Sequence, residues 1–516
     1  MNRLPPEIVS HIAQCVLQDE LDARPIIPLT HVCKYWRDSI VSAPKNWTRI
    51  FNGVRGLAEL SLERAKAAPL DVFLIFDSET ELFDFDSDYG RDFIFDFLLP
   101  YMRNIVSLNC TGFTSIEEIT KALPNFPKSM PNLRSLALTG HGLKADQSRG
   151  INLLDFSTHT TLRGLTLTHF PLLPSFLGLR TLTELKLRNP RINLHLDTIL
   201  TFLEENRSLK RATLGIGFGE DSLRRPQRQT PIKSSLQSLS ICCNNERDIE
   251  PLISNIALRK GASLEIIDYD SRGLTRILSR VPTTHLPGLL SPFSMEYQVS
   301  PREIRLLGPD GSFSYADSLI DSIGGPPGRP LFGGEFSLLP LASIRKLRLK
   351  FRESWVFSQS RLSSFPSQFQ LSSFPSLEVL SVDSHDVDEC STDDEDSTDE
   401  DFTDRDSADE DSTDEASTPN ISGPIGLSLS PLLQELTSSP SPKTLAFLDC
   451  SITEDFMAKL ARVALDRRNR TSASLCRVVI VNSKGIFPSA GSVERLGKYV
   501  PIVEVIRGKE LPKDLL

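Results

Sequence analysis

The sequence predicts an α/β protein in which a short helical N-terminal segment precedes a long βα repeat array. Three observations lead there. A six-residue frame with apolar residues at positions 1, 4 and 6 recurs along the chain, as in LRSLAL (133–138), LRGLTL (162–167), LTELKL (182–187) and LQSLSI (236–241). Helical stripes lie between the frames. The chain has 516 residues, whereas a single compact core stops growing at roughly 250–300 residues, so a repeat array or several domains is needed.

Further frames are LKRATL (209–214), IRKLRL (344–349), LEVLSV (377–382), LAFLDC (445–450) and LCRVVI (475–480). Weaker ones are LDVFLI (70–75), IVSLNC (105–110), LEIIDY (264–269) and VPIVEV (500–505). Starts at 105, 133, 162, 182, 209, 236 and 264 are mostly 27–29 residues apart. That spacing is the period of leucine-rich repeats. Between frames, Leu196, Ile199, Leu200 and Leu203 form one stripe, and Met457, Leu460, Ala461 and Ala464 another. Ile249, Leu252, Ile253 and Ile256 follow Asp248 as an N-cap, and Ser115 with Glu118 fits a capping box. A strand and a helix in each unit make a βα solenoid, whose units bury their leucines only against neighbours. Residues 270–343 carry no convincing frame and include GGPPGRPLFGGE, so long loops are expected there. The hexamer LSSFPS occurs at 362–367 and again at 371–376, lengthening one connection.

Charge is distributed unevenly. The net formal charge is −10. Residues Asp383 to Glu415 hold 18 acidic side chains against one basic, Arg405, leaving +7 on the remainder. The low-complexity stretch 384–420 has too few apolar groups to offset its chain entropy and is expected to be disordered. Within it Ser391, Ser397, Thr403, Ser407 and Ser412 each have an acidic residue three positions on, the preference of acidophilic kinases such as casein kinase two. The eight cysteines are scattered without a C-x-x-C, which predicts free thiols, no structural zinc and no cofactor. No run of about 18 apolar residues is present, and the opening MNRLPPEIVSHIAQ lacks the apolar core of a signal peptide. A cytoplasmic or nuclear location, without membrane or nucleic-acid partners, is the expectation. The sequons at Asn46, Asn206, Asn420 and Asn469 are then chance matches.

The first fifty residues read as three short helices. Ile8, Ile12, Cys15 and Val16 form a stripe behind Pro5 and Pro6; Leu29, Val32, Cys33, Trp36, Ile40 and Val41 form a second. Trp47, Ile50 and Phe51 follow Pro44. A unit this small has little core of its own and buries part of its apolar surface against something else. The stretches LPPEIVSHIAQCV and PLTHVCKYWRDSIVSAPKNWTRIF resemble an F-box: a Leu-Pro opening, an apolar helix, V-C-K-x-W-R, then Pro-x-x-Trp. The link QDELDARPI between the first two helices is longer and more polar than the family's. The rest of the chain is similar in general plan to the leucine-rich-repeat class of fungal F-box proteins.

The resemblance implies binding to the Skp adaptor and, through it, to a cullin–RING ubiquitin ligase. Leu4, Pro5, Ile8, Ile12, Val32, Cys33, Trp36 and Trp47 would divide between that interface and the helical core. It implies a domain plan of F-box (1–52), solenoid (53–383), acidic insertion (384–420) and C-terminal repeats of the solenoid (421–516). The implied role is that of a non-catalytic receptor for an unknown protein substrate. The alternative is a leucine-rich scaffold outside ubiquitination, whose N-terminal helices only cap the array. No G-x-S-x-G, Walker A, H-E-x-x-H or G-x-G-x-x-G is present.

Alternate strand residues point away from the core, which places Glu184, Lys186, Arg188, Lys210, Arg211, Lys346, Arg348 and Lys350 on an outward, substrate-reading face. The acidic run, tethered just after LEVLSV, is expected to lie transiently over the cations of the IRKLRLK strand and to compete with acidic substrates.

Overall fold

The computed structural model describes residues 4–17, 23–76, 97–113, 130–140, 160–170, 176, 178–188, 196–215, 231–243, 246–268, 273–281, 285–289, 292–298, 302–317, 339–352, 371–385, 430–439, 441–450, 452–470, 474–482 and 488–507. The capping box at Ser115 and Glu118, the glycine cluster at 324–334 and the five acidic-run hydroxyls lie outside them. The chain forms two compact units, Met1–Gly288 with Asp310–Leu319, and Leu289–Pro309 with Ile320–Leu516.

The first unit opens with helices α1 (Pro6–Val16), α2 (Ile27–Thr30) and α3 (Lys34–Ser42), then a 3₁₀ turn at Pro44–Trp47. Strand β1 (Arg49–Phe51) and helix α4 (Arg55–Ala65) follow. The third predicted helix is therefore replaced beyond Trp47 by a strand. Ile50 and Phe51 are β-formers, and they pair in parallel with β2 (Leu70–Ile75). Next come β3 (Ile105–Phe113), β4 (Ser135–Gly140), β5 (Gly164–Thr168), β6 (Glu184–Arg188), α5 (Leu196–Glu205) and β7 (Arg211–Gly215). A short parallel pair, β8 (Ile232–Lys233) with β10 (Ile256–Ala257), flanks β9 (Ser238–Cys243) and α6 (Glu246–Ser254). Ile256 thus belongs to a strand, not to the helix predicted to hold it. Strand β11 (Ala262–Asp268) and helix α7 (Gly273–Arg280) follow, and β14 (Gly311–Asp317) pairs with β11.

Among the described residues, β1 to β7, β9, β11 and β14 form one wholly parallel sheet in chain order. Its inward side chains stack in two rows. One row runs Ile50, Val72, Leu108, Leu136, Leu165, Leu185, Ala212, Leu239, Leu264, Phe313; all are buried. The other runs Leu74, Cys110, Leu138, Leu167, Leu187, Leu214, Ile241, Ile266, Tyr315, also buried.

A hydroxyl ladder reinforces these rows. The residue before position 1 of successive frames is Thr161, Thr181, Ser208 and Ser235. Each donates its side-chain hydroxyl to a main-chain carbonyl of the preceding unit, at Leu133, Leu162, Leu182 and Leu209, over 2.8–3.0 Å. Each bond gives a main-chain carbonyl at the start of a frame a partner from the next unit.

The second unit pairs β12 (Ser294–Gln298) antiparallel with β13 (Arg302–Gly308). These strands, with β14 and α7, replace the loops expected between residues 270 and 317; the expectation over 318–338 lies outside the described residues. Their apolar residues alternate, as in Met295 and Tyr297, instead of following the 1-4-6 frame. From β12 the sheet continues in parallel through β15 (Lys346–Arg352), β16 (Val379–His385), β17 (Thr444–Leu448), β18 (Arg477–Asn482) and β19 (Ile502–Arg507). Helices α8 (Ser430–Ser438), α9 (Glu454–Arg470) and α10 (Ala490–Gly497) lie between the later strands. Here the outward face is partly apolar too: Ala446, Leu448, Val479 and Val481 are buried together.

Three frames are out of phase with the register. Leu264 lies beside Leu239, and Leu445 beside Leu380, so each occupies position 4 rather than position 1. In LDVFLI the inward residues are Val72 and Leu74, not Phe73. Runs rich in apolar residues satisfy the frame in more than one phase, and neighbouring strands select among them.

Leu167→Ala is expected to lower stability by about 2–5 kcal/mol, and Ser208→Ala by about 1 kcal/mol, both read from urea unfolding. Asp71, on β2 beside Arg49, is held above the usual carboxylate range because burial outweighs the attraction of the guanidinium. Its stabilising contribution is therefore present below the ordinary carboxylate pKa and lost as pH rises through the raised one. Asp71→Asn should gain on the wild type as pH is raised to neutrality; an unchanged difference across the titration would contradict this.

Candidate docking surface

Helix α1 turns most of its predicted stripe outward, whereas the second stripe is split, with Val32 and Cys33 exposed and Ile40 fully buried. On α1 the buried residues are Val9 and Ala13, with Leu17 just beyond, while Ile8 is 44% and Val16 40% exposed. Leu4 is 42% exposed, Pro5 and Cys15 are exposed, and Ile12 is half-buried. The stripe follows helical spacing, yet its opposite side enters the core because the small Ala13 permits close helix packing. Val32, between α2 and α3, is 57% exposed; Cys33 is exposed and Trp36 half-buried. Six of the eleven large hydrophobic side chains exposed among the described residues fall between Leu4 and Tyr35. Such concentration marks an interaction surface, since scattered single exposures are the ordinary case.

Polar contacts hold this surface in shape. The Tyr35 hydroxyl donates to the Leu4 carbonyl at 2.6 Å, tying α3 to the start of α1. Arg37 Nε donates to the Thr30 carbonyl at 3.1 Å, tying α3 to α2. Beneath lies Trp47, 1% exposed, with Nε1 donating to the Ile40 carbonyl at 3.1 Å and the Arg64 guanidinium 4.3 Å from its ring centre. Trp47 is therefore a core residue, whereas Leu4, Pro5, Ile8, Val32 and Cys33 face outward. Asn46, noted in the sequence only for its sequon, is a structural residue: it is fully buried, accepts from Ser10 Oγ at 3.0 Å and donates to the Ile40 carbonyl at 3.2 Å. Its sequon, and that of the equally buried Asn206, leave no room for a glycan. Val16, Ile27 and Tyr35 are further exposed members that the F-box motif does not name.

From β5 to β7 the outward face of the first sheet is polar. Glu184 takes Lys186 Nζ at 3.0 Å and Arg211 Nη2 at 2.9 Å. Burial works to raise the Glu184 carboxyl, but these two hydrogen-bonding cations outweigh it and hold the group below the usual range. Arg188 and Lys210 are exposed. The Cys242 thiol is pushed up chiefly by burial, which outweighs the lowering hydrogen bond with Ser240; Glu265 adds to the rise and Arg188 opposes it. Burial likewise raises Cys110. Neither thiol is poised as a thiolate.

In the second unit Arg348 Nη2 lies 2.6 Å from Asp383 Oδ2, and Lys350 Nζ 2.8 Å from Glu296 Oε1. Lys346 is half-buried beside them. Two of the four cations of the IRKLRLK stretch, Arg348 and Lys350, are thus paired with carboxylates of neighbouring strands, while Arg345 at its start is exposed. Asp383 is itself the first residue of the acidic run, which beyond His385 lies outside the described residues. Proximity across strands, invisible in a linear reading, brings Glu296 and Asp383 there.

Among the described residues no cluster of His, Cys, Asp and Glu could hold a metal ion, and no helix is long and apolar enough to cross a membrane. No curated protein matches the chain. Residues 1–53 match the family model described as F-box-like. The match ends two residues beyond β1, so it takes in the exposed apolar surface together with the core that supports it: this chain carries an F-box-like domain, followed by a mixed α/β region with a large parallel sheet.

Proposed function

We propose that the chain is the substrate-receptor subunit of a Skp–cullin–F-box ubiquitin ligase, a non-catalytic adaptor. The supporting observation is the exposed apolar surface of Leu4, Ile8 and Val32 within the segment that matches the F-box-like model. F-box domains generally bind the Skp adaptor, and exposed aliphatic anchors on a rigid helical frame suit a helix-to-helix interface. The parallel strands in chain order, with one buried leucine row per inward position, support a leucine-rich-repeat-like solenoid as the part that holds a protein substrate. Its outward residues, Glu184, Lys186, Arg188, Lys210 and Arg211 among them, are the contact candidates. Ser391, Ser397, Thr403, Ser407 and Ser412 remain candidate sites for an acidophilic kinase.

A second reading has an observation of its own. Strand β1 pairs with β2, and Asn52 bonds the Ile75 carbonyl and amide at 2.9 Å each, so the N-terminal unit also closes the sheet as a cap would. A cap alone leaves the outward residues without a role.

Point variants separate the readings better than truncation, because removing β1 would strip the sheet of a strand. Ile8→Asp and Val32→Asp place a charge in the proposed interface and should abolish co-purification with the Skp adaptor while leaving the urea midpoint unchanged. Trp47→Ala should instead lower stability by about 3–5 kcal/mol. Undiminished adaptor capture by both aspartate variants would leave the capping role standing alone.

A further inference from the structure

In the first unit all the sheet strands are parallel, so their N-terminal ends share one edge. From β3 to β9, every strand brings a cation to that edge. Arg103 precedes β3; Arg134 and Arg163 stand immediately before β4 and β5; Arg180 precedes β6; Arg207 and Lys210 precede β7; Lys233 precedes β9. The described stretches from 97 to 243 hold ten cations against four carboxylates, and these seven cations are all exposed. Main-chain bonds show how closely they follow one another. Arg163 N donates to the Arg134 carbonyl at 2.7 Å, Thr183 N to the Arg163 carbonyl at 2.7 Å, and Lys210 N to the Thr183 carbonyl at 2.9 Å.

Little of this charge is internally compensated. Arg180 pairs with Glu205, whereas Arg103, Arg134, Arg207 and Lys210 have no carboxylate partner among the described residues. Arg163 is held in place by its own chain: its Nη1 donates to the Thr160 carbonyl at 3.0 Å and the Thr181 carbonyl at 3.2 Å. Six strands at the usual spacing span about 24 Å, the length of roughly seven extended residues.

We infer that this strand-entry edge binds an extended, carboxylate-rich segment of a protein partner. The identification rests on charge complementarity and on the chemistry of the edge. Arginine's planar fork matches a carboxylate in bidentate geometry, and five of the seven cations at this edge are arginines. A single-stranded nucleic acid would call for exposed aromatics on which bases stack. The exposed aromatic residues among the described ones, Tyr35 and Phe293, belong to neither the strands nor the connections from β3 to β9. The inference rests on reading the sheet as the partner-holding part of the chain, and it adds the chemical class of what is held.

The test measures binding of a labelled deca-glutamate peptide to the full chain by fluorescence anisotropy at low salt. Arg134→Glu combined with Arg207→Glu and Lys210→Glu should weaken binding by about tenfold or more. The glutamine triple variant should weaken it less and guards against misfolding, which urea unfolding reports for both. Lys459→Glu with Arg462→Glu, on the exposed side of α9, should change nothing. Absence of peptide binding by the wild type, or equal loss in the α9 control, would overturn the inference. So would tighter, equally edge-dependent binding of a duplex oligonucleotide of matched charge, which would make the occupant a nucleic acid. Adaptor capture is scored on the same proteins. Its absence in the wild type would remove the ligase reading while leaving the peptide result to stand or fall by itself.

Discussion

Stacking of inward aliphatic side chains between adjacent parallel strands is the interaction on which everything else here depends. Burying one leucine side chain is worth about 1.5–3 kcal/mol, while fixing the backbone of one residue costs about 1–2 kcal/mol. With three inward apolar residues in each six-residue frame, the two sides nearly cancel. A frame therefore becomes a stable strand only with a neighbour on each side to complete its hydrogen bonds and cover its leucines. The continuous rows from Ile50 to Phe313 and from Leu74 to Tyr315 meet that condition. At β19, which pairs only with β18 among the described residues, Ile502 and Val505 remain exposed.

The same constraint governs the N-terminal helices. Their shared core is small, and the 3₁₀ turn delivers Trp47 and then β1 directly into the first rungs of the sheet. Arg49 donates to the Leu17 carbonyl at the end of α1 and faces Asp71 on β2, so one guanidinium ties the helical unit to the strand layer. An apolar surface supported in this way keeps its shape while exposed. Leu4, Ile8 and Val32 can stay in water because Val9, Ala13, Ile40 and Trp47 behind them supply the burial that holds the helices.

Polar residues divide into two kinds of work. Hydroxyls that precede four of the frames, Thr161, Thr181, Ser208 and Ser235, donate to main-chain carbonyls of the preceding unit and so tie neighbouring units together. Charges fall differently in the two units. In the first, cations gather at the strand-entry edge with few carboxylates near them in the chain. In the second, Arg348 and Lys350 are met across strands by Asp383 and Glu296, and the neighbouring outward face turns apolar.

Composition and local spacing determined much of this protein. The 1-4-6 frame marks most of the strands, since period-two alternation is a property of the strand itself. The stripes at Leu196–Leu203 and Met457–Ala464 mark α5 and α9 for the corresponding reason. The docking segment was legible as well, because its Leu-Pro opening and V-C-K-x-W-R run are local. Tertiary structure alone decided which side of each element is covered. It turned Ile8 and Val16 outward and Val9 and Ala13 inward, put Trp47 in the core, and chose the phase of the frames at 70, 264 and 445. It also converted the expected loops before residue 318 into β12, β13 and β14, whose pairing partners lie at other positions in the chain. These outcomes depend on which neighbour a residue meets, and that is set by register between strands distant in sequence. No local pattern records it.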